Sequence, residues 1–226
     1  MEGPFCPPAD ASFQLIETFL WTPKDGVVRR DRHVARLRRT AAKFDIALPN
    51  IDAELDALSG SGPLRVRLTV DRNGSLTLAQ TPFTALSEGA VWRLGAAEQK
   101  LRADDPWLGV KSTQRAIYDA ARANLPSELD ELIYCNDDGW LCEGTITNIF
   151  VDQGEGLLTP PLDCGVLPGV LREELLEMGR AREVRLRLND LAICDRIYVG
   201  NSLRGLIPAR LCTPAPRDGR PRRSDH

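Results

Sequence analysis

The segment RVRLTVDRNGSLTLAQ (65–80) limits the possible folds most tightly, because apolar and polar side chains alternate on both sides of Asn73-Gly74. Period-two alternation around such a dipeptide predicts two antiparallel strands joined by a hairpin turn. Upstream, FQLIETFLW (13–21) is another β-prone run, and PKDG (23–26) turns it back into VVRR. Val34, Leu37, Ala41 and Phe44 recur at helical spacing behind Asp31, the expected N-cap, and this helix should end before LPN. Residues 51–58 read as a short helix closed by SGSG. Together these elements form a small α+β unit of about 100 residues, an ordinary domain size.

The polar stretch RADDPWLG (102–109), with Pro106 inside it, reads as a linker. It divides the chain into a small N-terminal domain (1–104) and a C-terminal domain (105–216), with a tail (217–226) expected to be disordered. After the linker we expect a helix from Ser112 or Thr113 to Asn124. DELIYCNDDGWLCEGTITNIFVD follows as strand, turn and strand. A turn-rich loop LTPPLDCGVLPG, a helix over VLREELLEMGR, and strands at VRLRL and RIYVGNS complete the pattern.

The net charge of -3 argues against bulk nucleic-acid binding, so the arginines between 29 and 39 are a local feature. MEGPFCPPAD has neither the basic nor the apolar region of a signal peptide, and no apolar run approaches the roughly 20 residues that span a membrane. A cytoplasmic protein with reduced thiols is expected, since the 6 cysteines are scattered without a C-x-x-C pair. There are only 2 histidines, His33 and the terminal His226. A zinc site lacks ligands, and a serine–histidine–aspartate triad could draw only on His33 or the tail. No metal is expected, and proton handling falls to Lys, Tyr, Glu or a cofactor.

Chemistry concentrates in RDRHVARL (30–37), KSTQRAIYD (111–119), EGTITNIF (143–150) with TPPLDCGVLPGVLR (159–172), and GNSLRG (200–205). In this order and spacing they resemble the class IV aminotransferase family, the fold-type IV pyridoxal-phosphate enzymes, and within it aminodeoxychorismate lyase-like proteins. The resemblance runs from about residue 15 to residue 211. It implies a two-domain α+β fold like that of D-amino-acid aminotransferase, bound pyridoxal 5'-phosphate, a small amino-bearing substrate, and a homodimer.

The resemblance places the lysine that forms an imine with the cofactor's aldehyde at Lys111; a lone lysine before a helix would otherwise read as solvated. A lysine serves this chemistry when burial or nearby cations lower its pKa. Lys24, Lys43 and Lys100 sit in no comparable context. Glu143 is implied as the partner of the pyridine nitrogen, where otherwise it is an exposed strand-end glutamate. Two unit charges ~4 Å apart at an effective dielectric of ~20 attract by about 4 kcal/mol, enough to keep that nitrogen protonated. For the phosphate the resemblance implies Arg36, the backbone amides of Val170 and Leu171 at a helix N-terminus, and Asn201 with Ser202. Relatives often carry a hydroxyl where Leu171 stands. Tyr118, about one turn beyond Arg115, reads either as a core aromatic or as a group reaching the cofactor's phenolate or the lysine. Arg115 and His33 read as structural.

For the reaction, LIETFLW is lyase-like and puts Thr18 where lyases carry a hydroxyl that helps protonate the leaving pyruvate moiety. Two positions depart: Leu20 replaces a frequent arginine, and Val110 a frequent histidine. The expected activity is release of pyruvate to form 4-aminobenzoate. The alternative is transamination of branched-chain or D-amino acids, and a non-catalytic cofactor-binding domain is a third possibility from a different class.

Overall fold

The computed structural model describes residues 12–212; the segment MEGPFCPPAD, Cys6, the expected tail 217–226 and His226 lie outside the described residues. Strands β1 (Gln14–Thr22), β2 (Gly26–Val27), β3 (Leu64–Asp71) and β4 (Leu76–Pro82) form a sheet in the order β2-β1-β3-β4. Its pairings are antiparallel. Helix α1 (Arg30–Lys43) and the short α2 (Ile51–Asp56) bury Val34, Leu37, Ala41, Ile51 and Leu55 with Val66, Leu68 and Val70 of β3. The other face of β3 carries Arg65, Arg67 and Thr69, so the alternation read in the sequence sorts this strand into a core face and a polar face.

The Asn73-Gly74 turn is wider than a two-residue hairpin loop. Val70 pairs with Leu76, and the Asp71 carboxylate accepts from the amides of Asn73 and Ser75 while Gly74 takes φ 82°. Asp31 is not the N-cap of α1. That position is Arg29, held at φ 58° with its guanidinium 2.7 Å from Glu174, and Asp31 falls in the first turn. The basic helix face is neutralised locally: Arg30 and Arg38 reach Asp52, Arg32 reaches Glu177, and Arg39 reaches Glu173.

The second sheet is larger. Strands β5 (Trp92–Ala96), β6 (Glu131–Cys135), β7 (Leu141–Gly144), β8 (Asn148–Asp152), β9 (Leu157–Thr159), β10 (Ala181–Glu183), β11 (Arg196–Asn201) and β12 (Gly205–Leu211) run in the order β10-β9-β8-β11-β12-β5-β6-β7. Because β7 also pairs with β8, the strands β8-β11-β12-β5-β6-β7 close into a ring. Its filling includes Leu94, Ile133, Leu141, Ile149, Val151, Val199 and Ile207. Strand β5 lies within 1–104, yet it pairs with β12 and β6, so the boundary between the two sheets falls between Pro82 and Trp92.

Three further expectations differ from the structure for physical reasons. The helix after Lys111 is α3 (Ala116–Ala123), starting later than Thr113, because residues 111–113 pair with β1 instead: Ile16 N–H donates to Lys111 O and Thr113 N–H to Gln14 O. The stretch WLCEGTITNIFVD is two strands, not one. It breaks at Thr145–Thr147, whose backbone and hydroxyl groups turn inward onto the buried carboxylate of Glu131. VRLRL is mostly outside strand, which ends at Glu183. Helix α4 (Val170–Glu177) forms as expected.

Glu131 is 0% exposed and accepts from Leu132, Thr145 and Ile146 amides and from the Thr145 and Thr147 hydroxyls. Removing the acceptor strands several buried donors, each costing about 1–3 kcal/mol. Glu131→Ala should therefore lower stability by roughly 3 kcal/mol in urea denaturation. A change below about 0.5 kcal/mol, the size of an ordinary surface substitution, would refute this account of the 145–147 loop.

Candidate active site

A cavity of about 510 Å³ opens between the two sheets and is lined by Thr18, Arg36, Lys111, Tyr118, Glu143, Val170, Asn201 and Ser202 among others. Eight of the nine residues singled out in the sequence therefore meet in one place. The ninth, Leu171, turns its side chain away, to within 2.9 Å of where a Gly200 Cβ would stand.

Lys111 is set by its pairing to β1, which fixes its backbone beside Ile16, two residues from Thr18. No acceptor within the described residues engages its ammonium group. Burial, with the charge of Arg36 adding to it, lowers its pKa from 10.5 to about 8. Glu143 stands at the end of β7. The residue is 5% exposed, and its carboxyl group accepts from Tyr118 Oη at 2.8 Å, the Leu167 amide at 3.0 Å and Asn148 Nδ2 at 3.4 Å. Burial outweighs these donors and pushes its pKa up to about 7.

Tyr118 gives its hydroxyl to Glu143 and not to Lys111, and burial beside that carboxyl raises its pKa. It thus supports the acidic group, a role different from the one expected at the phenolate. Arg115 lies just outside α3, over the Tyr118 ring at 5.4 Å, and is tied to Asp119 and to Thr145 O.

A second cluster sits under the N-terminus of α4. Glu17 of β1 takes Arg36 in a two-point pair at 2.8 and 2.6 Å, and His33 Nδ1 at 2.6 Å. His33 Nε2 lies 2.7 Å from Ser202 Oγ. Arg36 and His33 hold the Glu17 carboxyl at about 2 against its burial. Burial keeps the imidazole pKa below its ordinary value. A carboxylate only accepts, so His33 carries its proton on Nδ1, and Ser202 donates its hydroxyl to Nε2. The line Ser202–His33–Glu17 has the order of a nucleophilic triad, but Arg36 already neutralises Glu17, which removes the charge that would make the imidazole a strong base. His33, expected to be structural, is the hinge of this cluster. Glu17 was missed, although its place beside Thr18 in LIETFLW was the available signal.

Arg36 spends three of its five N–H groups, two on Glu17 and one on Pro168 O. The first amides of α4 have no intrahelical acceptor. Gly169 before them admits no side chain: a Cβ there would stand 1.9 Å from Asn148 Oδ1. Asn201 ties its turn to Ile146 O and to the Arg204 amide, so its side chain serves mainly to shape the wall. Thr18 lines the cavity, and its hydroxyl makes no hydrogen bond among the described residues. Four arginines the sequence reading passed over, Arg65, Arg67, Arg122 and Arg204, line the same space.

Residues 14–212 match the model of the amino-transferase class IV family. The chain belongs to this family. A crystal structure from Mesorhizobium loti, provisionally described as an amino-acid aminotransferase, shares 43% identity and a TM-score of 0.85, covering 88% of this chain and 100% of that one. The fission yeast Schizosaccharomyces pombe has a relative provisionally named aminodeoxychorismate lyase, 27% identical over 76% of this chain and 79% of the relative. A Mycobacterium tuberculosis protein described as a hypothetical aminotransferase, in its PLP-bound form, has the same fold, with a TM-score of 0.74 at 21% identity over 88% of this chain and 81% of that one. The fold is thus that of the fold-type IV enzymes, and the chain is an enzyme of this class, which works with pyridoxal phosphate.

The donor set fits that cofactor. An unengaged amine, a buried acid held by three donors, and a guanidinium beside free helix amides line one cavity, matching an aldehyde, a ring nitrogen and a phosphate.

The pKa of Glu143 sets a test on the apoprotein. Below pH 4.5 both folded and unfolded chains carry its proton; from there to about 7 only the folded chain keeps it. Folding then takes up a proton, so stability falls as pH rises through this window. Relative to Glu143→Gln, the wild type should lose roughly 3 kcal/mol between pH 4 and pH 8, read by denaturation at a series of pH values. A gap that does not change with pH would rule out a desolvated acid here.

Proposed function

We propose that this chain is a pyridoxal-phosphate enzyme of the aminodeoxychorismate lyase type, releasing pyruvate to form 4-aminobenzoate. The free Thr18 hydroxyl on the cavity wall carries this reading, because it leaves a proton donor unspent beside the Lys111 segment. Transamination of a branched-chain or D-amino acid is the second reading, favoured by the aminotransferase description of the 43% identical structure.

When bound, pyridoxal phosphate supplies an electron sink for the bond that breaks at the substrate. Lys111 serves as attachment point and as the acid–base group; with a pKa of about 8 an appreciable fraction of Nζ is neutral near neutral pH. Glu143, braced by Tyr118, Asn148 and the Leu167 amide, holds the ring-nitrogen end. The two N–H groups of Arg36 not spent on Glu17 or Pro168 and the amides of Val170 and Leu171 would hold the phosphate. The Ser202–His33–Glu17 line fixes the direction of Arg36, and Asn201 and Ser202 form the third side. Thr18 delivers the proton to the departing group. In this reading the β1–β4 sheet with its helices is the small domain and the ring is the large one. The homodimer rests on the resemblance alone, and the cytoplasmic setting on the scattered cysteines.

Purified protein should develop visible absorbance with the cofactor, and Lys111→Ala should abolish it; a wild type that pyridoxal phosphate cannot colour would sink the assignment. The holoenzyme should form pyruvate and 4-aminobenzoate catalytically without a 2-oxo acid. Conversion of the cofactor to its amine form by a plain amino acid, with no pyruvate released from aminodeoxychorismate, would select the transaminase. Thr18→Val should slow the lyase about a hundredfold while leaving cofactor uptake intact. Glu17→Gln should weaken cofactor binding about tenfold, since an Arg36 without its two-point partner is no longer held in place.

A further inference from the structure

Ser202 has one hydroxyl proton and two claims on it. In the chain alone the proton goes to His33: Nδ1 gives its hydrogen to Glu17 at 2.6 Å, so Nε2, 2.7 Å from Ser202 Oγ, presents a lone pair. Ser202 also lines the cavity, as do Arg36 and Val170. A phosphate oxygen there only accepts, so donating to it turns the Ser202 proton away from Nε2. Lone pairs of Oγ and Nε2 then face each other between two buried residues, unless Nε2 gains a hydrogen of its own. Charge points the same way. With His33 neutral, Glu17 and Arg36 cancel, and a phosphate dianion would add two negative charges that the α4 amides answer only in part. The groups facing the imidazole are Glu17 on β1, Arg36 on its own helix and Lys111 on the segment paired with β1, with the Phe19 ring at 5.4 Å as an apolar neighbour. Behind Ser202, Arg29 donates to its carbonyl and is itself paired with Glu174. Burial first, then the charges of Arg36 and Lys111, outweigh Glu17 and keep the imidazole neutral.

We propose that His33 takes up a proton when a phosphate group enters the cavity, and so becomes, acting through Ser202, a second cationic positioning residue of the phosphate site beside Arg36. This rests on the reading of that side of the cavity as the phosphate site of pyridoxal phosphate. One proton passes from solvent to Nε2, Nε2–H donates to Ser202 Oγ, and the Ser202 hydroxyl turns to a phosphate oxygen; no other bond changes. Glu17, ionised at any working pH because its pKa is about 2, receives Nδ1–H before and after. An opposite charge within about 4–6 Å raises a pKa by about 1–3, and a dianion one hydroxyl away belongs at the upper end of that range. Arg36 is charged whether or not phosphate is present, whereas His33 is charged only when it is. The cluster therefore favours a phosphorylated ligand over its phosphate-free counterpart without keeping two uncompensated cations buried.

The chain has only 2 histidines, so His226→Asn leaves His33 as the single signal in nitrogen NMR of histidine-labelled protein. At about pH 8, where a phosphate monoester is a dianion, the protein alone should show one protonated and one bare ring nitrogen. Pyridoxal, which lacks the phosphate, should leave that pattern unchanged. Pyridoxal phosphate should protonate both nitrogens and raise the His33 midpoint by at least about two pH units. A bare Nε2 in the coloured, pyridoxal-phosphate-loaded protein, or the same protonation with pyridoxal, would overturn the proposal. His33→Gln should weaken pyridoxal phosphate about tenfold, the value of one charge-assisted contact, and leave pyridoxal binding as it was. Equal weakening of both would reduce His33 to a structural part; if this variant fails to fold, the NMR result decides. Failure of the cofactor reading is a different result: pyridoxal phosphate develops no colour, while saturating inorganic phosphate still protonates His33. A bare Nε2 under inorganic phosphate as well would sink both.

Discussion

Strands β7 and β8 meet through one register pair, Glu143 opposite Asn148, and the β-ring closes there. Strand ends at a closure are short of ladder hydrogen bonds, so side chains must supply them. The Glu143 carboxyl does part of this by drawing the Leu167 amide and Asn148 Nδ2 onto one oxygen and Tyr118 onto the other. The same event buries the acid, and burial is what raises its pKa to about 7. A group that seals the ring and a group with tuned acidity are one and the same here. Glu131 stabilises the intervening loop from below, and Gly144 leaves it no slack, because a Cβ there would meet Thr147 Oγ1 at 2.4 Å.

The opposite end of the cavity is governed by a different balance. Glu17 is fully desolvated yet stays ionised, because Arg36 and His33 supply more than burial removes. The cluster joins the two sheets: Glu17 lies on β1, Arg36 and His33 on α1, Ser202 on the β11–β12 turn, and Arg36 also reaches Pro168 O before α4. Alignment of α1 against α4 is reinforced by Arg29–Glu174, Arg32–Glu177 and Arg39–Glu173, which are part-exposed and individually weak. The buried cluster therefore carries the geometry, and the outer pairs add register.

Much of this was legible in the sequence. Alternation announced β3 and β4, and the motif residues Lys111, Glu143, Arg36 and Val170 do converge on one cavity. The helix was expected to start at Ser112 or Thr113 because local propensity carries no information about β1, a hundred residues away, which claims the hydrogen bonds of this segment. The break at 145–147 was hidden for the same reason: nothing in EGTITNIF reveals that Glu131 lies beneath it. Tyr118 was legible as a site residue but not in its direction, which depends on the turn by which α3 begins late. Arg65 and Arg67 lay within the best-read segment of the chain, yet charge on a strand's polar face looks like solvated surface until the cavity beside it is known.

That last point separates two kinds of information in the cavity. The groups suited to hold a cofactor are fixed by buried, many-partnered contacts: Glu143 by three donors, Arg36 by three acceptor contacts, the α4 amides by a glycine with no room for a side chain. Changing any of them costs folding as well as chemistry. The groups facing the remaining space, Thr18, Arg65, Arg67 and Arg204, stand on a strand face and a turn and take part in none of that bonding. Their side chains can be exchanged without disturbing the closure of the ring or the Glu17 cluster. A scaffold built this way separates the groups held in place by buried hydrogen bonds from the groups that only line the cavity.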